Sequence, residues 1–453
     1  MELHFSTPNQ KMENQGEENV VRLKDLIDSE SMPIQEILSL MDGHQENDQI
    51  KGFIELNSYP KKVIIDLVIG HLIIPRCLQV LRNATKLKLK ILAAHTLSAL
   101  AAGTQQHVLT LLSYKDVMVE LVNMLNSNAL RLILKAARML GNIAKSSAMS
   151  RHIFFQYNVA DIVLRIMSRD PDDVIKIYLS ELVLRLVRYS RESIALHQQF
   201  NTFLMIIVSM IDSRIRSVIR DACLALEEII VANADLLDAF IAMDGAKRLV
   251  RVLSRNRSSL RSILDIMTVI AKQNAKYANA ILDAGAVNWL CYLLRTQLHN
   301  EGIKILELLS CLIFTTEKAV RIVIDAGVYH IMPEIMRNVN PIYYDSAIDI
   351  VATTIFMATK EQILEIADRY EIFKPFMLLL MRISRVKSQT TVITVLNHLF
   401  DVDASLVSLR PPLLEMFLGK LLELCMAEDD ELSARARTAI ENYAKYFLPQ
   451  LKL

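Results

Sequence analysis

The side chains able to do acid, base or nucleophilic chemistry are dispersed along this chain, and no set of them has the spacing such chemistry needs. Ten histidines occur one at a time, and Cys77, Cys223, Cys291, Cys311 and Cys425 stand far apart with no Cys-x-x-Cys pair. There is no Gly-x-x-x-x-Gly-Lys-Ser/Thr, Gly-x-Gly-x-x-Gly, Gly-x-Ser-x-Gly or His-Glu-x-x-His. Phosphoryl, hydride and acyl transfer and zinc-dependent hydrolysis therefore have no sequence support. No catalytic residue, cofactor or metal ligand is expected. What the sequence offers is recognition chemistry. Lys135, Arg138 and Asn142 fall three and four residues apart, and Tyr178 and Arg185 fall seven apart, so each set shares one face of a helix. Guanidinium groups so placed donate charge-assisted hydrogen bonds to carboxylates, and a tyrosine ring adds a flat contact.

Composition says which elements must carry these residues. The chain has 453 residues, 52% of them hydrophobic but only 6% aromatic, with 11 glycines and 11 prolines spread over the whole length. Turn formers are too few for an all-β fold, so nearly all of the chain should be helix.

A short phrase recurs in it: FIAMDGAKRLVRVL at Phe240–Leu253, ILDAGAVNWLCYLL at Ile281–Leu294 and VIDAGVYHIMPEIM at Val323–Met336. Each copy sets a turn residue between two apolar helical patterns. The apolar residues closing the middle pattern are Leu81, Leu125, Met167, Ile211, Leu253, Leu294, Met336, Met381 and, as a final copy, Cys425. Their spacing of about 41 to 45 residues is the period of stacked helical repeats. Ahead of the anchors stand Asp116, Asn158, Asn201, Gly245, Gly285 and Gly327, residue types that accept a left-handed backbone at a helix end. After each anchor a polar link leads into a longer helix with a wide apolar face, as in LRLILKAARMLGNIAK, SVIRDACLALEEIIV and LRSILDIMTVIAK. Such a helix is buried on two sides by neighbouring repeats.

A short helix, a glycine turn, a second helix closed by an apolar pair and a long third helix resemble the armadillo repeat. The resemblance covers roughly residues 70–450 and implies an all-α fold, a right-handed α-superhelix of about eight or nine repeats. The domain layout is then an acidic, partly disordered lead over 1–50 with one or two short helices, Val20–Ile27 and Pro33–Met41, and a solenoid over 51–453 ending in a polar cap. It also implies a concave groove lined by the third helices. The family's ladder asparagine matches Asn142 in MLGNIAK; the equivalent positions are Ala99, Arg185, Glu228, Val269, Cys311, Thr354 and His398. One helical turn earlier the ladder reads His95, Arg138, Glu181, Leu224, Asp265, Glu307, Ile350 and Thr394. The expected partner-binding residues are His95, Lys135, Arg138, Asn142, Tyr178 and Arg185. The groove should be basic toward its start and acidic at Asp265 and Glu307. Nuclear-import adaptors of this family use repeated Trp and Asn at the ladder, whereas this chain has a single Trp, Trp289. A non-enzymatic scaffold that holds an acidic or amphipathic segment of a partner protein is the function this implies. An import-type adaptor, or a structural component of a cytoskeletal or ciliary assembly, is the alternative.

Charge bears on the partner. The formal net charge is +1, but residues 1–70 carry thirteen Asp/Glu against six Lys/Arg, while residues 71–170 carry thirteen Lys/Arg against four Asp/Glu. An acidic lead thus precedes a basic start to the repeats, and it could fold back over them. Two cationic groups, Arg82 with Lys86, Lys88 and Lys90, and Arg248 with Arg251, Arg255 and Arg257, would attract phosphate. No nucleic-acid motif accompanies them, so protein is the expected partner and nucleic acid is not. No stretch reads as a membrane span, and MELHFSTPNQKMENQGEEN lacks a signal-peptide pattern. Cytoplasm or nucleus is the expected compartment.

Overall fold

The computed structural model describes residues 32–146, 148–188, 194–232, 235–255, 259–314, 317–338 and 340–447. Among them every regular element is a helix, and there is no strand. The chain divides into two compact units, Met1–Leu236 and Leu237–Leu453, where the repeat period alone implies one continuous solenoid.

In the first unit five helices pack side by side in chain order. They are α1 (Glu46–Ser58), α2 (Leu87–Ala101), α3 (Leu130–Ser146), α4 (Asp173–Val187) and α5 (Arg216–Ala232). In the second unit α6 (Leu260–Gln273), α7 (Ala286–Ile313), α8 (Pro341–Met357), α9 (Val386–Val402) and α10 (Asp430–Phe447) do the same. Shorter helices fill the intervals. The ladder helices are wedged between neighbours because their apolar residues cover more than one face. In α3, for example, Leu132, Ile133, Ala136, Ala137, Met139, Leu140, Ile143 and Ala144 are all buried, which leaves a single outward stripe. Truncating a buried leucine of this kind costs about 2–5 kcal/mol, so the stripe's position is held firmly.

Side-chain caps set several helix starts. Asp172 Oδ1 accepts from the Val174 amide over 2.9 Å and Asn274 Oδ1 from Lys276 over 3.0 Å, while Thr359 and Gln362 form a reciprocal box.

The repeat period reappears as hydrogen bonding between successive copies. Ser180 Oγ donates to Asp221 Oδ2 over 2.9 Å across 41 residues, and Tyr370 Oη to the Ile324 carbonyl over 2.9 Å across 46.

The turns follow the sequence in part. Asn158, Gly285 and Gly327 do hold the left-handed backbone, at φ 50°, 82° and 71°. Gly245 does not. The neighbouring Asp244 takes φ 58° instead, and Gly245 is buried where a Cβ would stand 2.4 Å from the Phe240 ring. Asp116 is the first residue of a helix, and Asn201 lies inside the unbroken helix Ile194–Ile211. Leu72 and Glu371, neither of them a turn former, are left-handed at φ 51° and 48°. The polar link expected after Leu294 is absent as well, since α7 runs unbroken through it from Ala286 to Ile313.

At the start, the expected helix over 20–27 lies outside the described residues. The second expected helix is present as Ile34–Met41, which packs on α1 through Ile37 and Met41. The boundary expected at residue 50 falls inside α1. At the end, α10 turns Glu431, Arg437, Glu441 and Lys445 outward, whereas the preceding helix Pro411–Leu424 leaves Met416 and Leu422 exposed. No single described helix is long and apolar enough to cross a membrane; the helices Lys61–Gly70 and Ile73–Asn83 pass by composition only as a pair bent by 94°.

Candidate functional site

The outward stripes of α2, α3 and α4 carry the six residues singled out from the sequence. These helices pack side by side in chain order after α1, and α1 and α2 run parallel. Glu46 carboxylate oxygens accept from Thr85 at the helix starts, and Thr96 Oγ1 donates to Asn57 Oδ1 over 3.1 Å near their ends. On α2 the stripe exposes Lys88 and His95; on α3 it exposes Arg131, Arg138 and Lys145, with Lys135 and Asn142 half-buried between them. On α4 it shows Tyr178, Glu181 and Arg185, all half-buried.

Three of the six form one electrostatic group. Burial, together with the positive charges of Lys135 and Arg138 on the adjacent helix, holds the His95 imidazolium below its usual range. Burial and the neighbouring Arg138 hold the Lys135 ammonium low in the same way. Lys88, Arg131, Lys135 and Arg138 have no ion-pair partner among the described residues. The cluster is therefore an uncompensated patch of positive charge on two adjacent helices.

Arg185 belongs to a different arrangement. Its Nη1 donates to Asn142 Oδ1 over 3.0 Å and its Nη2 to Glu181 on the preceding turn. Gly141 makes room for this, since a Cβ there would stand 3.3 Å from Arg185 Nη1. Arg185 is thus neutralised and laid along the surface, and Asn142, the ladder asparagine, is occupied by it. Further on, Arg188 stands 3.9 Å from Glu228.

The acidic pole expected at Asp265 and Glu307 is also neutralised. Lys304 Nζ lies 2.9 Å from Asp265 and 3.5 Å from Glu307, and Lys272 Nζ lies 2.6 Å from Glu307. Here the ladder binds itself.

Other ladder positions point inward. Ala99, Ile350 and Thr354 are buried, and on α8 the outward stripe is Ile342, Asp345, Asp349 and Phe356. The stripe is displaced by one residue from the expected position, and one residue on a helix is a rotation of about 100°.

The first of the cationic groups considered for phosphate is partly spent within the repeats. Arg82 Nε donates to the buried Glu120 over 3.0 Å with Asp116 at 3.1 Å, and Lys86 Nζ bonds Asn47. In the second group Arg257 lies outside the described residues. A surface cavity of about 780 Å³ in the second unit is lined by Arg337 and Lys374, but also by Asp368 and Glu371. Arg382 lines it too, so three cations face two carboxylates there, with the Arg382 guanidinium bonded to the Met336 and Asn338 carbonyls. Among the described residues no group of His, Cys, Asp and Glu could hold a metal ion.

Sequence reasoning missed an apolar edge beside the cations. Leu87, Leu130 and Val174 open α2, α3 and α4 and are exposed, as is Ile177. Their spacing is that of the repeat, and this was the signal available to find them.

No family model matches the chain, and no curated protein matches it in sequence. Solved structures do: 404 chains match. One is the crystal structure of an engineered protein from the Northeast Structural Genomics Consortium, 18% identical, with a TM-score of 0.67 over 91% of this chain and 99% of that one. At that identity the likeness concerns the fold, an all-helical, repeat-like architecture.

Proposed function

We propose that the chain is an armadillo-type repeat protein that acts without catalysis as a scaffold, holding acidic segments of partner proteins on the outward stripes of α2 and α3. The observation that carries this reading is the cluster of His95, Lys135 and Arg138, flanked by Lys88 and Arg131. Elsewhere on the ladder, lysines and arginines meet carboxylates of the neighbouring repeat, as Lys304 meets Asp265 and Arg385 meets Asp345 over 2.7 Å. On α2 and α3 the acids are missing, and carboxylates from another chain would supply them by charge-assisted hydrogen bonds. Tyr178 borders this patch, while Arg185 and Asn142 act as its fixed wall. The import-adaptor reading loses weight because Asn142 is already bonded within the chain.

None of the five cysteines is in a disulfide, as suits a protein of the cytoplasm or nucleus. The test is capture from a cell extract with the intact protein beside the Lys135→Glu/Arg138→Glu form, followed by mass spectrometry and rebinding of the purified candidates. Proteins held directly by the first and lost by the second support the reading. An identical set from both would move the site to another surface.

A further inference from the structure

The second unit has a cationic face of its own, carried by the shorter helices that stand between the ladder helices. Helix Gly245–Arg255 buries Leu249, Val250, Val252 and Leu253, which turns Lys247, Arg251 and Arg255 outward and leaves Arg248 half-buried. Asp244 takes Lys247 over 2.8 Å. Arg255 has no ion-pair partner among the described residues. Along the sequence these cations have no ring beside them, since no aromatic residue lies between Phe240 and Tyr277. Repeat packing supplies two. The helix packs on α7, whose first turns expose Trp289 by 38% and Tyr292 by 46%, edge to face with ring centroids 5.9 Å apart.

Contacts between successive copies carry the face onward. Arg295 is exposed one turn after Tyr292, with its Nη2 3.6 Å from the point where a Gly327 Cβ would stand, and His330 Cδ2 lies 3.2 Å from the same point. The missing side chain at Gly327 thus leaves room for both. His330 packs edge-on against Tyr370 with centroids 4.6 Å apart, and Tyr370 lines the 780 Å³ cavity together with the exposed Arg337, Lys374 and Arg382. Arg337 and Lys374 have no ion-pair partner among the described residues. Glu334, Asp368 and Glu371 border the face as well, and the cations remain in excess. Three steps between neighbouring repeats, each about 8–10 Å, give it a length on the order of 25–30 Å.

The combination of unpaired cations with exposed rings selects the ligand. Acidic side chains would satisfy the cations alone and leave Trp289 and Tyr292 in water. A single nucleic-acid strand uses both, because its phosphates meet the cations while its unstacked bases lie on the rings. Every base has a π-face, so such a site needs no sequence motif, whereas the bases of a duplex are already stacked on one another. We infer that this face, from Arg251 and Arg255 through Trp289, Tyr292 and Arg295 to the cavity at Lys374, binds single-stranded nucleic acid. This goes beyond the capture of acidic protein segments on α2 and α3 and does not depend on it.

The experiment mixes the full chain with a twelve-nucleotide oligothymidylate. Trp289 is the only tryptophan, so its emission reports contact at the site directly, and a fluorescein-labelled copy of the oligonucleotide reports total binding by anisotropy. Binding should quench Trp289. With about four phosphates neutralised, it should weaken roughly fiftyfold between 50 and 200 mM salt. Trp289→Leu should weaken it about fivefold or more. Arg255→Glu/Lys374→Glu, at two exposed positions without ion pairs, should weaken it about tenfold or more while the melting temperature holds. Lys135→Glu/Arg138→Glu should change nothing, which keeps this outcome separate from that of the α2 and α3 face. The inference is overturned by absence of binding, by binding that leaves Trp289 emission unchanged, or by binding indifferent to Arg255→Glu/Lys374→Glu in a protein that still melts normally. Equal affinity for the oligothymidylate–oligoadenylate duplex or for polyglutamate would show attraction to charge alone and would overturn it too.

Discussion

Arg185 Nη1 donates to Asn142 Oδ1 over 3.0 Å, across 43 residues of sequence and between two adjacent ladder helices. Glu181 holds the other end of the guanidinium, so Arg185 joins two repeats and contributes little free charge. Arg138, one helical turn before Asn142, has no ion-pair partner among the described residues. The two arginines look alike in sequence and differ in what they do.

Charge reversal should separate them. Arg185→Glu loses the bond to Asn142 and sets a carboxylate against Glu181 four residues away, which should cost about 1–2 kcal/mol of stability. Arg138→Glu should leave the melting temperature unchanged or raise it slightly, since it relieves repulsion with Lys135. Thermal unfolding followed by circular dichroism checks both. Equal destabilisation by the two reversals would mean that Arg138 is paired in solution.

His95 should make binding depend on pH. In the free protein its pKa lies below the ordinary value of 6.5, through burial and the charges of Lys135 and Arg138. Because the folded pKa is the lower one, the unfolded chain takes up the proton first, and stability falls as pH drops through the unfolded value toward the folded one. A bound carboxylate reverses the local field and raises the pKa. A labelled synthetic peptide of Glu-Leu-Glu-Glu repeats should therefore bind more tightly at pH 5.5 than at pH 7.5, by up to about tenfold for each unit that binding raises the pKa. His95→Gln should flatten this profile while leaving affinity at pH 7.5 nearly unchanged. Titration of binding against pH for both forms decides it.

How much of this was legible depends on the range of the interaction. The turns at Asn158, Gly285 and Gly327 could be read because the residue type itself tolerates a left-handed backbone. Leu72 and Glu371 could not, because there the packing of the flanking helices imposes the backbone on residues that resist it. The stripe on α3 was read in correct register from Lys135, Arg138 and Asn142, while on α8 the same alignment slipped by one residue and turned Ile350 and Thr354 into the core. The link between Arg185 and Glu181 lies within sequence reach, at four residues on one helix. The neutralisation of Asp265 by Lys304 does not, since 39 residues separate them and only the stacking of α6 and α7 brings them together.

The displaced turn at Asp244 and Gly245 gives a test of the backbone. Gly245 is buried against the fully buried Phe240 ring, and an added methyl group would stand 2.4 Å from it with no flexible end to move aside. Gly245→Ala should cost about 2–4 kcal/mol. Asp244→Gly relieves the left-handed φ of 58° but adds freedom to the unfolded chain and loses the ion pair with Lys247, so its effect should lie within about 0.5 kcal/mol of zero. Chemical denaturation of the two variants measures the difference. The reverse order would place the turn at the glycine.

The buried hydroxyl pair in the second unit should respond asymmetrically. Tyr329 Oη and Thr354 Oγ1 lie 2.6 Å apart, and Thr354 Oγ1 also donates to the Ile350 carbonyl over 2.8 Å. The threonine has one proton and uses it on the carbonyl, so the tyrosine must be the donor to the threonine. Full burial of the phenol drives its pKa well above the ordinary 10, which keeps the proton in place. In Tyr329→Phe the threonine keeps its bond to Ile350 and no donor is stranded, so the loss should be about 1 kcal/mol. In Thr354→Val the phenol is left as a buried donor without an acceptor, and the loss should reach about 2–3 kcal/mol, because the desolvation of that hydroxyl is no longer offset. The double variant should then be less destabilised than the sum of the two singles, since the stranded hydroxyl is gone. Urea unfolding of the three variants forms the cycle. Additive losses would mean that the two hydroxyls do not share a proton, and would reassign Thr354 as a side chain satisfied by its own helix alone.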